Sequence, residues 1–365
     1  MRALAFYLPQ FHPIPENDEW WGQGFTEWTN VTRTTPRYRG HFQPQLPSDL
    51  GFYDLRVAET RERQSRLARG AGLDGFCYYH YWFNGRRLLE RPFNEVLSSG
   101  SPDFPFALCW ANENWTRVWD GGADQVLIGQ DYSAEDDLAH IRSLAPAFAD
   151  PRYIRVGHRP LFLVYKAEHL PEPRRTAEIW RNEAVRLGVG DPYLVRVELT
   201  RTRRDPADFG FDAAVAFAPD VTAMTRDRYE FYPRRIARRL FRPWSNFRRN
   251  QIVPYELIVR EALDRLADES SYRRFPCVTP SWDNSARRAG GAWIFRDATP
   301  DSYELWLSEV VSRRPSVPPE EDFVFVNGWN EWAEGNHLEP DIRFGHGWLE
   351  ATARALSQRD ASTSR

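Results

Sequence analysis

Lysine is almost absent from this chain. Lys166 is the only one in 365 residues, and arginine supplies the rest of the basic side chains. Cysteine is scarce too: Cys77, Cys109 and Cys277 are scattered over 200 residues, each inside an apolar run. That spacing excludes a disulfide framework and a CxxC-type metal site, and it predicts buried free thiols. Charge of one sign is also lacking. A net charge of −3 and a pI near 6.3 provide no global basic field for nucleic acid or an anionic membrane. No apolar run approaches the ~20 residues that a membrane span requires. The opening "MRALAFYLPQFH" has no cleavable signal pattern and passes directly into strand-like sequence, so a cytoplasmic location is expected.

Aromatic residues, in contrast, are abundant: 15% of the chain, with 15 tryptophans. Such an excess commonly lines a groove for flat, partly apolar ligands, of which sugar rings are the commonest in water.

Eight short apolar runs recur at 3–9, 73–82, 105–112, 160–166, 192–198, 212–219, 275–284 and 322–332. Most are continuous, as expected for parallel strands covered on both faces. Helix-like segments lie between them at 53–70, 134–149, 173–187, 255–268 and 301–313. This alternation predicts an α/β chain folded as a (β/α)8 TIM barrel, one domain over 1–355 with elaborated βα loops. A doubly wound sheet is the competing fold, but no glycine fingerprint follows the first strand. Residues 223–253 form a basic insertion, with nine arginines between Arg226 and Arg249. It reads as a solvated amphipathic segment or as a surface for an acidic glycan or partner. The tail 356–365 is expected to be disordered.

Barrel chemistry gathers at the C-terminal ends of the strands, and polar and aromatic residues accumulate there. Strand one leads to Tyr7, Glu27 and Trp28, and strand two ends in Tyr79, His80, Tyr81 and Trp82. Strand three gives Trp110, Asn112, Glu113 and Trp115. Lys166 ends strand four, Arg196 and Glu198 end strand five, and Trp282 and Asp283 end strand seven. Each has a bland alternative. An aromatic serves the core as readily as a ligand, His80 suits a hydrogen-bonded core histidine, Glu27 suits a helix cap, and Lys166 suits a cross-strand ion pair. Their co-location is harder to explain away, because burying so many polar groups is costly without partners.

The sharpest segment is "NGWNEWAEGNHLEP" (327–340), holding Asn330, Glu331, Trp332, Glu334 and His337 directly after the strand "DFVFV". Two carboxylates three apart on a helical turn can place their tips about 5 Å apart, the separation that retaining glycosidases use. Trp329 and Trp332 would supply a low-dielectric wall that keeps one acid protonated. Gly335 would allow a left-handed turn or the close approach of substrate. The eight histidines show no close ligand spacing, so neither metal nor cofactor is expected.

This segment resembles the NEWxEGxxxEP stretch of glycoside hydrolase family 99, the endo-α-mannosidase group. The whole chain more closely resembles the WbsX family of bacterial polysaccharide-locus proteins, through "FYLPQFHPIPENDEWWGQGFTEWTNV", "GFCYYHYWFNGRRLLERPFNEVL" and "PFALCWANENWTRVWDG". The resemblance implies a retaining reaction on an oligosaccharide or polysaccharide through a 1,2-anhydro sugar. Glu331 would deprotonate the 2-hydroxyl, and Glu334 would act as general acid and base. Ala333 departs from the histidine often found in family 99, so contacts on the leaving-group side would differ. WbsX members have also been labelled glycosyltransferases, although the sequence shows no DxD-type metal pair and no nucleotide-binding pattern. Transglycosylation, or a carbohydrate-binding protein without catalysis, are the other readings.

Overall fold

All eight apolar runs form strands in a computed structural model that describes residues 1–117, 122–199, 203–220, 250–266, 270–288, 290–314 and 316–361. They are β1 (Arg2–Tyr7), β2 (Gly75–Phe83), β3 (Phe106–Trp110), β4 (Arg159–Val164), β5 (Tyr193–Glu198), β6 (Ala213–Ala216), β7 (Arg274–Val278) and β8 (Phe323–Val326). Each pairs in parallel with its sequence neighbour, and β1 pairs with both β2 and β8, which closes the sheet into a barrel. Closure leaves no sheet edge among the eight and puts a helix layer outside them.

Among the described residues that layer comprises α1 (Ala58–Gly70), α2 (Arg91–Ser99), α3 (Ala134–Ala149), α4 (Pro173–Arg186), α5 (Tyr255–Arg265), α6 (Pro300–Ser312) and α7 (Gly347–Ala361). Among the described residues after β5, a 3-10 turn, Pro206–Phe209, takes the place of a helix. The start of α1 is five residues later than the helix-like segment. Asp54 bends the chain locally by accepting from the backbone N–H of Arg56 at 2.8 Å, and Leu55 donates to the Phe11 carbonyl at 3.1 Å. Of the tail expected to be disordered, 356–361 instead continue α7, whose buried Ala351, Ala355 and Leu356 hold it to the core, and 362–365 lie outside the described residues. Of the basic insertion, residues 223–249 lie outside the described residues. Its end, within Gln251–Pro254, pairs with Trp293–Arg296 in a small parallel sheet.

Strand alternation decides which aromatics face the barrel axis. Phe6, Tyr79, Tyr165 and Phe217 come from strands across the barrel, yet their rings meet at 5.4 to 6.0 Å. Only an interior position allows this. They form an aromatic floor near the C-terminal mouth. The neighbours of opposite parity, Tyr7, Tyr78, His80, Trp82 and Trp110, face the helices. All three cysteines are buried and free.

Candidate active site

The segment after β8 is a tight hairpin. Asn330–Glu331 pairs antiparallel with Asn336–His337, and a 3-10 turn, Trp332–Glu334, joins them. Gly335 closes the turn at φ +56, in the left-handed region that favours glycine. A Cβ there would lie 2.6 Å from Gln45 Nε2 and 2.9 Å from Asp283 Cβ. The close approach that Gly335 permits is therefore that of the neighbouring loops.

One guanidinium gathers three carboxylates. Arg287 Nη2 lies 3.1 Å from Glu331 Oε2 and 3.1 Å from Glu27 Oε1, and Nη1 lies 2.9 Å from Glu334 Oε1. Glu27 comes from the helix Glu27–Arg33 after β1, Arg287 from the loop after β7, and the other two from the loop after β8. The side chains are 0% exposed at Glu27, 7% at Glu331, 16% at Arg287 and 20% at Glu334. Glu334 is thus the most open of the three acids. Burial raises Glu331 to about 8, against the pull of Arg287 and with Glu334 and Glu27 adding to the rise. Burial raises Glu334 as well, again opposed by Arg287. One cation cannot neutralise three buried carboxylates, so a proton is held among them near neutral pH.

Several predicted residues join this cluster. Burial lifts the Tyr79 and Tyr81 phenols well above their ordinary value, and Glu331, within electrostatic reach of both, adds to the rise. Trp115 packs against Tyr81 with ring centres 5.1 Å apart. Lys166 Nζ sits 3.5 Å from Glu113 Oε1 at the end of β4. Asn112 places that pair: its Oδ1 accepts from the Lys166 backbone N–H at 2.7 Å, and its Nδ2 donates to the Lys166 carbonyl at 2.9 Å.

Other predicted residues stand behind the cluster, and apart from the Trp282 indole N–H and His337 Nδ1 their polar atoms are committed to protein partners. Tyr7 faces α1 and donates to Gln64 at 2.7 Å. Trp82 donates to Asp136 at 3.0 Å on α3, and Trp110 packs between His140 and Trp180. Trp28 donates to the Tyr53 carbonyl at 2.8 Å. Asn330 bridges the backbone of Leu8, accepting at 2.8 Å and donating at 3.0 Å. Asp283 accepts from Gln43 at 2.6 Å and meets His41 at 2.6 Å, while the adjacent Trp282 indole is buried. Trp332 donates to Glu339 at 2.7 Å, and His337 stacks on Trp332 at 3.7 Å while meeting Asp341 at 3.1 Å. Tyr7, Trp82 and Trp110 face the helices through their outward strand parity, so the expected sugar contact is corrected for these three; the others brace the loops around the turn after β8 through the partners named. Glu198 is likewise absorbed into an ion network with Arg274 and Tyr272.

Sequence reasoning missed Arg287, Tyr165 and Glu339. The Tyr165 phenol lies near Glu113, Glu334 and Glu331. Glu339 is fully buried, accepts from Gln64 at 2.6 Å and Tyr53 at 2.8 Å as well as from Trp332, and is raised by burial to about 7. Among the described residues, no cluster of three or more His, Cys, Asp or Glu side chains is arranged to hold a metal ion. Among the same residues, no helix is long and apolar enough to cross a membrane.

The fold is shared with solved glycoside hydrolases. A GH99 endo-alpha-mannosidase from Bacteroides thetaiotaomicron, solved with bis-tris-propane, superposes with a TM-score of 0.60 at 15% identity, covering 100% of this chain and 98% of that one. A structure described as a glycoside hydrolase-like protein superposes at 0.57 with 13% identity, covering 97% and 93%. At these identities the likeness is one of fold. In sequence, two proteins from Xanthomonas campestris pv. campestris, both described as uncharacterized protein WxcX, are 48% identical over 357 residues. The match takes in 97% of this chain but 49% of each relative, so the chain spans about half their length. The family described as Glycosyltransferase WbsX matches residues 3–352. The chain belongs to the WbsX family.

Proposed function

We propose that this chain is a retaining glycoside hydrolase acting on a bacterial polysaccharide or oligosaccharide, with Glu331 and Glu334 as the reacting pair. The observation that carries this reading is the placement of both carboxylates on one turn at the barrel mouth, on one guanidinium, beside the aromatic floor. Glu331, the deeper of the two, is the base toward the sugar 2-hydroxyl, a role it takes in the form of the pair in which the shared proton sits on Glu334. Glu334, more open to solvent, protonates the leaving oxygen and then deprotonates the water that opens a 1,2-anhydro sugar. Proton count balances over the cycle: the proton taken by Glu331 returns to the 2-hydroxyl as the anhydro ring opens. Tyr79, Tyr81, Tyr165, Trp115, Glu113 and Lys166 are the proposed sugar contacts: the three tyrosines reach the pair, Trp115 packs on Tyr81, and the Lys166–Glu113 pair adjoins Tyr165.

The family description favours a second reading, in which the same pair transfers a glycosyl unit to a saccharide acceptor during surface polysaccharide assembly. Both readings are tested by incubating the protein with defined glycans and, in parallel, with nucleotide sugars plus acceptors. Release of reducing sugar of retained configuration, abolished in Glu334→Gln, is the outcome expected for the hydrolase. Turnover of nucleotide sugars alone would replace it with the transferase.

A further inference from the structure

We propose that Arg287 and Glu27 are positioning residues that set how many protons the Glu331–Glu334 pair holds. Arg287 clamps both acids through the two terminal nitrogens of one guanidinium, and Glu27 is a third, fully buried carboxylate that takes up part of its charge. This inference rests on the reading of Glu331 and Glu334 as the reacting pair.

A two-carboxylate reaction of this kind starts with one acid charged and the other protonated. The geometry provides for that state by charge count. Arg287 and Glu27, 3.1 Å apart, compensate one another, so the remaining two acids share the guanidinium only partly and keep one proton between them. Without Glu27, the full cation would fall to the pair and both acids would ionise at lower pH. Without Arg287, three carboxylates would face one another with no cation bridging them, and they would hold protons to higher pH.

The clamp is built, not incidental. Arg37 donates to the carbonyls of Ser285 at 3.0 Å and Arg288 at 3.1 Å, and Arg287 N donates to the Asn284 carbonyl at 3.2 Å. The two Arg37 bonds tie the loop after β1 to the loop after β7, and the third holds the turn that carries Arg287.

The remaining charged and titratable groups around the cluster stay in place when either residue is replaced. From β2 come the phenols of Tyr79 and Tyr81, from the end of β4 that of Tyr165, and beside it the Lys166–Glu113 pair. Arg288 acts on Glu334 from the loop after β7, where the Asp283–His41 pair also lies.

The test compares Arg287→Met, Arg287→Lys and Glu27→Gln by two readouts. One is the pH profile of glycan cleavage, and the other is the titration of 13C-labelled glutamate carboxyls by NMR. Arg287→Met should move both limbs of the profile and the carboxyl midpoints to alkaline pH by about one to three units, and Glu27→Gln should move them to acid pH by about one. Arg287→Lys keeps the charge but loses the fork, so kcat should fall while the midpoints stay near those of the wild type. Opposite displacements support the proposal. Displacements in the same direction, or none, overturn it, because a merely structural role would change stability and amplitude only. If Arg287→Met does not fold, the acid shift of Glu27→Gln against the unmoved Arg287→Lys decides. If no glycan is cleaved, the hydrolase reading fails by itself, and the carboxyl titration still decides this inference.

Discussion

The backbone N–H of Asp283 donates to the carbonyl oxygen of Glu334 at 2.6 Å, and the residue that makes room for this contact is Gly335. The bond fixes the turn after β8 to the loop after β7, and thus fixes Glu334 relative to Arg287. Gly335→Ala should break the arrangement in two ways. Its Cβ meets Gln45 and Asp283 well inside contact distance, and φ +56 is strained for alanine. The strain alone costs about 1–3 kcal/mol. A lowered unfolding midpoint together with loss of glycan cleavage is expected, whereas a change at the unoccluded Gly345, also at positive φ, should lower stability with little effect on activity.

Burial of the acids makes stability fall with rising pH. A carboxyl whose folded pKa lies above its unfolded value binds more protons in the native state. Its contribution is therefore complete below the unfolded pKa and is lost as pH rises through the folded one. For Glu331 that window runs from about 4.5 to about 8, and for Glu339 from about 4.5 to about 7. Glu331→Gln cannot ionise, so its denaturation midpoint should gain on that of the wild type between pH 5 and pH 8, by about 1 kcal/mol or more. A constant offset between the two proteins over that range would show that Glu331 titrates as an exposed acid does.

The His80 and His140 imidazoles act in the opposite sense. Their Nε2 atoms are 3.0 Å apart, so the neutral pair shares one hydrogen, and Trp82, Trp110 and Trp180 enclose it. Burial holds both well below the ordinary histidine value. Here the unfolded chain binds protons first, so stability is complete above about pH 6.5 and is lost as pH falls below it. Chemical denaturation at pH 7 and pH 5 should show the loss, and His140→Phe, which keeps a ring in the aromatic cage, should flatten the slope.

The eight strands were legible because continuous apolar runs between helical segments have few other readings. The hairpin was legible because glutamate, tryptophan, asparagine and glycine fit poorly into a core strand end. The parity of the strand-end aromatics was not. "YYHYWF" sends Tyr79 and Tyr81 to the mouth and His80 and Trp82 to the helices, and one residue of register decides which set faces which way. Arg287 escaped notice because arginine is common throughout this chain, and its partners lie 44 and 260 positions away in sequence. Tyr165 read as the end of a core strand, and its place among the acids follows from barrel closure alone.

The division of labour between the two glutamates is testable through the leaving group and the 2-hydroxyl. Glu334→Gln removes the proton donor at nearly constant volume, so activity should fall by roughly 10² to 10⁴ on a natural glycan. The loss should shrink for an activated aryl glycoside, whose oxygen needs little protonation. Glu331→Gln should impair both substrates alike, because the 2-hydroxyl must lose its proton whatever departs. A 2-deoxy analogue should therefore resist the wild-type protein. If that analogue is cleaved with retention at a comparable rate, the anhydro-sugar route is wrong. Glu331 is then a direct nucleophile, or it serves only to hold Arg287 in place beside Glu334.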